Sequence, residues 1–538
     1  MLISPLTLLG FLLIGTAVTY LVAARWPRYI YLVGCTVSGL GILIWLALGQ
    51  QLPMVGSAGS LPDSNLFPAW HWQIDNAIWS LSGILLLLVF SLLLFRAGQA
   101  ESSPANFNHF QFQLTRFTWQ PVLILALTVT GLAALWAATL ATFMVIWTLL
   151  AILWTLYVLT TQKEITALTS PLHRFFWMLM PLLFAGIAAA TEPGPMVLLD
   201  MGNWSSTATT AILLASMAQM GVMPLVGWRP RSGLWSPSAG PILHLFPSLV
   251  GAGLLVRLVT TGRIDAGIIL LLTVFALISI LSGIHRSWAH LGSANQLPAD
   301  MAYALSGLAF LAGIWAGSEA LEAGVRLLVL TLTPLFLLAR LPISRARWWR
   351  GLAPMLALLS LAGFPMTVGF TTLAPIYNVW FANNLYVLIL ALILLLLPLI
   401  TAALVFVRGH YDQHHDAKSQ QFSVTMEVAQ LSSATGLIML GSMSMGDIAL
   451  LTWLALLATA AGALLLARYV SEVQEIVSTV DTALSADRLP FASYTGTLQR
   501  FGRQVIMTLS EAAFILEGDR GLLWLTAFLA ILLFMIAS

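Results

Sequence analysis

The residues here that could gain, lose or hold charge inside an apolar chain are few, and their spacing limits the chemistry available. His244 stands alone in a hydrophobic stretch, where an imidazole serves either proton transfer or hydrogen-bonded packing. His285, Arg286 and His290 are grouped where another apolar stretch ends; they suit a proton entrance, a partner contact or a plain solvated loop. Arg257 and Arg326 are placed to pair with Glu319 or Glu322 for structure. His410, His414 and His415, with Asp412 and Asp416, have the composition of a metal tract, but they fall in a hydrophilic loop and no metal site is expected. The chain has no phosphate loop with its lysine, no HExxH helix and no serine elbow in a strand-to-helix setting. No cofactor is expected. Trp and Tyr content does not decide quinone binding, because both residues are normal at membrane interfaces.

The elements that must position these groups are membrane helices. The 538 residues are 59% hydrophobic and 8% charged, too little polar surface for a water-soluble globule. Pro121 to Leu159 and Gly351 to Val407 carry no charge, and each can hold two spans of about 20 residues. Segments this apolar sit in lipid as helices that satisfy their own backbone, and the short alternating segments of a membrane barrel are absent. The net charge of +2, with no basic cluster among aromatics, excludes a nucleic-acid platform. The single cysteine, Cys35, allows neither a disulfide scaffold nor a multi-cysteine metal site. The first 24 residues lack a cleavable-signal pattern and are expected to form a retained helix.

The expected spans are 4–24, 30–48, 77–95, 121–138, 141–159, 175–191, 205–228, 236–256, 264–283, 301–318, 327–339, 351–371, 384–407, 431–446, 448–467 and 521–537. Odd connections carry Arg25, Arg28, Arg96, Arg116, Lys163, Arg174, Arg229, Arg231, Arg286, Arg340, Arg345, Arg347, Arg350 and Arg408; even ones carry mostly Asp63, Asp75, Glu192, Asp200, Glu319, Glu322 and Asp447. Cationic loops mark the cytoplasmic side, so the N-terminus is expected outside. Arg257, Arg263 and Arg326 depart from the bias. Residues 49–76 read as an outer loop with Trp70 and Trp72 at the interface, and 468–519 as an amphipathic cytoplasmic helix or a brace against a neighbouring subunit.

Two spans should break in mid-membrane. Span seven contains Gly221-Val222-Met223-Pro224, and span twelve Gly363-Phe364-Pro365 followed by Gly369-Phe370. Proline removes a donor and clashes with the preceding turn. Breaks five spans apart suggest two similar five-helix units, as in inverted-repeat transporters, although Gly and Pro also merely shape packing in membrane helices.

These segments resemble a known family. Gln219 to Leu225, then Ser236-Pro237-Ser238, Ile242-Leu243-His244, Gly251-Ala252-Gly253 and Arg257 are similar to the central motif of the antiporter-like membrane subunits. There, a proline-broken helix is followed by a Pro/Ser run, a histidine, a small-residue pair and a basic residue. Leu358 to Phe370 and Ala302 to Ser306 resemble that family's second broken helix and the start of its tenth helix. The family includes the large proton-pumping subunits of complex I and its photosynthetic relatives, Mrp antiporter and membrane hydrogenase subunits, and the membrane partner of a bicarbonate-accumulating complex. The resemblance implies fourteen or more helices with two inverted five-helix repeats, and membership of a larger assembly.

The departures from the family pattern fall on its charges. The helix-five glutamate matches Thr148 beside Trp147, the lysine of the first broken helix matches Gln219, and the lysine or glutamate of the second matches Leu373; the tenth-helix lysine falls near Pro298. The family histidine is kept as His244. Proton movement through a low-dielectric bundle needs groups that change charge or a continuous water wire. Neutral groups orient water but store no charge.

The resulting expectation is an all-α polytopic membrane protein of about 14–16 transmembrane helices, with two inverted five-helix repeats containing broken helices. Its regions are 1–120, the N-terminal helices and outer loop; 121–256, the first repeat; 264–407, the second; and 408–538, the C-terminal helices. It reads as a divergent antiporter-like subunit of a complex I-like or hydrogenase-like assembly, mainly a scaffold and not catalytic alone. Other membrane subunits and the lipid bilayer are the expected partners, in a bacterial inner or thylakoid-type membrane. The alternatives are a proton- or cation-coupled transporter subunit, including one for inorganic-carbon uptake, and an assembly or anchoring protein. The residues at issue are His244, Gln219, Thr148, Leu373 and Arg257, the breaks at Pro224, Pro365 and Gly369, and the His285, Arg286, His290 group.

Overall fold

The computed structural model describes residues 4–58, 70–102, 111–161, 169–192, 197–223, 225, 239–261, 264, 266–291, 293, 296–338, 350–413, 424–439 and 450–469. The chain divides into two compact units, Met1–Ser57 with His71–Arg468, and Ala58–Trp70 with Tyr469–Ser538. Apart from Ala58, Trp70 and Tyr469, the second lies outside the described residues, as do the expected amphipathic segment and the span 521–537.

The first unit is helical. In chain order it contains α1 (Pro5–Arg25), α2 (Ile30–Leu48), a ribbon of β1 (Met54–Ala58) and β2 (Trp70–Ile74), α3 (Asn76–Ser102), α4 (Gln111–Trp136), α5 (Leu140–Thr161), α6 (Thr169–Thr191), α7 (Ser206–Met220), α8 (Gly240–His244) and α9 (Phe246–Thr261). There follow α10 (Ala266–Ala289), α11 (Leu297–Leu338), α12 (Leu352–Leu361), α13 (Val368–Ala382), α14 (Tyr386–Gln413), α15 (Val424–Met439) and α16 (Leu450–Leu466). Ten helical segments among the described residues are long and apolar enough to cross a membrane, taking α8 and α9 as one run. The chain is thus a multi-pass integral membrane protein by length and composition.

Burial separates the helices by role. α3, α4, α9 and α11 are mostly enclosed, whereas α1, α2, α10 and α14 leave apolar faces such as Leu13, Leu43, Leu271 and Leu390 uncovered. In water such faces would drive association; for a membrane protein they are the surface that meets lipid or a neighbouring subunit. α11 is two arms, because Gly317 leaves helical geometry at φ 88°, ψ −172°. The arms double back: a Cβ at Gly313 would stand 3.2 Å from Leu321, and one at Gly324 would stand 2.7 Å from the Cα of Ala309. The expected spans 301–318 and 327–339 are therefore the two arms of one helical hairpin.

The sequence reading of 49–76 as a plain loop needs correction, because it contains the β1–β2 ribbon. Its backbone is paired further: Trp72 bridges Ala137, and Thr139 bridges Val197. Short strands satisfy backbone groups that a buried outer loop would leave orphaned. The alternation in 54–58 is too brief to separate from loop in sequence. Of the histidine tract, His410 and Asp412 continue α14, while His414, His415 and Asp416 lie outside the described residues.

Candidate functional site

α7 and α12 end within the stretches where breaks were expected, and both ends use the same backbone device. α7 ends at Gly221 (φ 72°), where the N–H of Gly221 donates to Ala218 O (3.2 Å) and that of Val222 to Met217 O (3.1 Å). α12 ends at Gly363 (φ 69°), with Gly363 N–H to Ser360 O (3.0 Å) and Phe364 N–H to Leu359 O (2.9 Å). This is a Schellman ending, which needs a left-handed residue that glycine supplies without a Cβ clash. The glycines, rather than the prolines, terminate the helices. Pro224 lies outside the described residues, and Pro365 follows the cap in a half-buried turn. α7 ends at Met220, and residues 224 and 226–228 of the expected span lie outside the described residues.

Gln219 sits on the last turn of α7, fully enclosed, and neither its Oε1 nor its Nε2 has a hydrogen-bond partner. Gly251 of α9 lies against it so closely that a Cβ there would be 2.5 Å from the Gln219 Cβ. His244 closes α8 beneath this contact, 3% exposed and stacked on Phe336 of the second α11 arm, with ring centroids 5.9 Å apart. Ser248 joins the two, donating to Met220 O (2.8 Å) and approaching His244 O (3.3 Å). Gln219, His244 and Ser248 are all buried, and the Ser248 hydroxyl bonds the carbonyls of Met220 and His244. An unsatisfied Gln219 amide costs about 1–3 kcal/mol, a cost that an ordered water would offset.

The second break is tighter and less polar. The N–H of Gly369 donates to Ser360 Oγ (3.0 Å), and α13 restarts at Val368. Leu373 is fully buried on α13 and borders Gly363. Thr372 returns its hydroxyl to Val368 O (2.9 Å). The second α11 arm touches both breaks, through Phe336 at His244 and through Gly324, whose Cβ position lies 3.5 Å from the Thr372 methyl. Between them on that arm, Thr331 is fully buried and its hydroxyl has no partner. Polar groups are thus interspersed with Phe336 and Leu373. α5, α7, α8, α9, α12 and α13 carry no carboxylate.

The remaining residues are placed elsewhere. Thr148 is only half-buried and its hydroxyl closes on Met144 O (2.9 Å), while neighbouring Trp147 is fully buried and donates to Met178 O (2.8 Å). Arg257 does not pair with Glu319 or Glu322. Its guanidinium donates to Leu135 O (2.7 Å) and Ala137 O, capping carbonyls at the end of α4 that the helix leaves free, and to Gln73 O of β2 (3.2 Å). Arg326 takes the expected Glu322 partner one turn away, and also Ser80 (2.8 Å).

The His285, Arg286, His290 group is not a uniform loop. His285 is exposed, the Arg286 guanidinium lies over the Tyr303 ring (4.7 Å), and His290 Nδ1 meets Asp300 Oδ2 at 2.8 Å. Asp300, enclosed in the first turn of α11, was missed in sequence. Its signal was an acid two residues after Pro298, opening an apolar run ten residues beyond His290. The Arg350–Glu427 pair, at 2.6 and 2.8 Å, was also missed because 77 residues separate its members.

No family model and no curated protein matches this chain. Solved structures do. A chain of the Mrp complex from Dietzia sp. DQ12-45-1b superposes with a TM-score of 0.70 at 15% identity, covering 98% of this chain and 62% of that one. The fold is shared. The chain therefore spans less than two thirds of that Mrp chain's length. A chain of the archaeal membrane-bound sulfane sulfur reductase gives 0.62 at 16% identity (81% and 75% covered), and one of respiratory complex I from Thermus thermophilus gives 0.62 at 18% (85% and 99%). At such identities the likeness concerns architecture, and it agrees with the resemblance seen in the motifs.

Proposed function

We propose that this protein is a divergent antiporter-like membrane subunit that serves a multi-subunit energy-coupling assembly mainly as a scaffold, its own proton route closed. The observation that carries this reading is that α7, α8 and α9 at the first break and α12 and α13 at the second hold no carboxylate, with Gln219 and buried Leu373 at the two matched positions. Moving protons across low-dielectric protein needs groups that change charge or an unbroken water wire. His244 is the one titratable side chain at the first break that the motif supplies, and Phe336 covers its ring.

Two further points support the antiporter-like architecture. The equal glycine endings of α7 and α12 stand five expected spans apart, as two repeats over 121–256 and 264–407 would place them. The loop charges favour the N-terminus outside a bacterial inner or thylakoid-type membrane. Other membrane subunits would cover the uncovered apolar faces. The second reading, a transporter subunit working through His244, draws on the unpartnered Gln219 amide, which could orient water.

The test is to isolate the tagged protein from its native membrane in mild detergent, identify what co-purifies, and measure proton transport of that assembly with and without His244→Ala. The scaffold reading expects a hetero-oligomer whose transport is unchanged.

A further inference from the structure

Arg96 is a cation enclosed without a counter-charge among the described residues. It is 3% exposed on α3, and its Nη1 donates to Gln120 Oε1 of α4 at 2.7 Å, while Nε and Nη2 make no hydrogen bond of good geometry. The phenols of Tyr31 on α2 and Tyr157 on α5 stand beside the guanidinium, and the Tyr157 hydroxyl also lacks a hydrogen-bond partner of good geometry. Four helices thus meet at one guanidinium, and none of its described neighbours is an acid. Water could accept from the open donors, yet it would leave the charge uncompensated, and an isolated buried cation is costly.

The depth of the cluster narrows what could neutralise it. Arg96 lies three residues from the end of the apolar run Asn76–Gln99, Tyr157 four from the end of Leu140–Thr161, and Gln120 and Tyr31 one residue inside theirs. At 1.5 Å per residue the cluster is roughly 2–6 Å inside the spans, the level of the headgroup boundary. The connections at this end carry Arg25, Arg28, Arg116 and Lys163 against Glu101 and Glu164, a balance that attracts anions. We infer that Arg96, Tyr157 and Gln120 form a binding site for one phosphate group, supplied by the headgroup of an anionic membrane lipid. Arg donates to phosphate through a planar fork, and a phenol adds a third donor to an acceptor-only ligand. The Gln120 amide is the movable wall, since its own hold on Thr160 O is long at 3.4 Å.

The experiment uses the full chain in the detergent-solubilised assembly. Thermal unfolding and native mass spectrometry are recorded after adding phosphatidylglycerol, phosphatidylcholine or inorganic phosphate, for wild type, Arg96→Gln, Arg96→Lys and Tyr157→Phe. The expected result is one retained phosphatidylglycerol and a rise in Tm that phosphatidylcholine does not reproduce. Both should be lost in Arg96→Gln and weakened in Tyr157→Phe, which keeps the ring and tests the site should Arg96→Gln fail to fold. A rise with inorganic phosphate alone would keep the phosphate site and overturn its lipid source. Equal responses to the two lipids in wild type and all variants would overturn the proposal and leave water, or a carboxylate from another subunit, as the partner of the charge.

Discussion

The amide of Gly369 donates to the hydroxyl of Ser360 at 3.0 Å, and a Cβ on Gly369 would lie 1.5 Å from the Ser360 carbonyl oxygen. The start of α13 is thereby held directly against the end of α12, across the break that Gly363 opens. No side chain fits between them without displacing backbone.

Gly369→Ala should therefore destabilise the protein by about 3 kcal/mol or more, above the usual cost of core overpacking. Gly363→Ala should cost about 1–2 kcal/mol through its left-handed backbone, with a smaller addition because its Cβ would meet only side-chain ends, Leu456 at 2.7 Å and Leu373 at 3.2 Å. Thermal unfolding in detergent would rank the two, and an equal loss would contradict the contact across the break.

Arg257→Met should loosen the outer cap rather than disturb transport. The change frees Leu135 O, Ala137 O and Gln73 O, each bond to the charged group contributing about 1.5–3 kcal/mol. Hydrogen exchange should rise at residues 71–74 and 135–139, where the ribbon bridges the end of α4. Faster exchange at the breaks with a silent cap would assign Arg257 to the route.

Arg350 and Glu427 should couple strongly. Removing either alone, as Arg350→Met or Glu427→Gln, leaves a buried charge and should cost about 3–5 kcal/mol, while the double variant should recover much of it. A double-mutant cycle on Tm reads this directly. Additive losses would mean that the ions are solvated separately.

Asp300→Asn should keep an acceptor for His290 and preserve the join of α10 to α11, whereas Asp300→Ala should lose about 1–3 kcal/mol. Unfolding midpoints of the two variants at neutral pH decide this. Equal midpoints would show that the pair does not hold the helices.

How much of this was legible in the sequence depends on the range of the interaction. Ten long apolar helices were legible among the described residues because apolar runs such as Pro121–Leu159 state their own length, and the glycines Gly221 and Gly363 give a local signal. The cause of the breaks was misread, since Gly221 and Pro224 lie in one motif and only backbone angles reveal which residue ends the helix. The Gly317 hairpin and the ribbon were blurred for the same reason. Arg257 was paired with the wrong groups because carbonyl oxygens are invisible to a search for opposite charges. Gln219 and Leu373 are read in sequence as departures from the resembled motif, but their burial is visible only in the structure.

The central claim is that the route through the breaks is closed. Proton flux should be measured in proteoliposomes holding the intact native assembly, comparing wild type with a Gln219→Leu, His244→Ala double variant of verified composition. Unchanged flux is the result predicted here. A loss of flux with every subunit still present would contradict it and make this chain part of the conducting path.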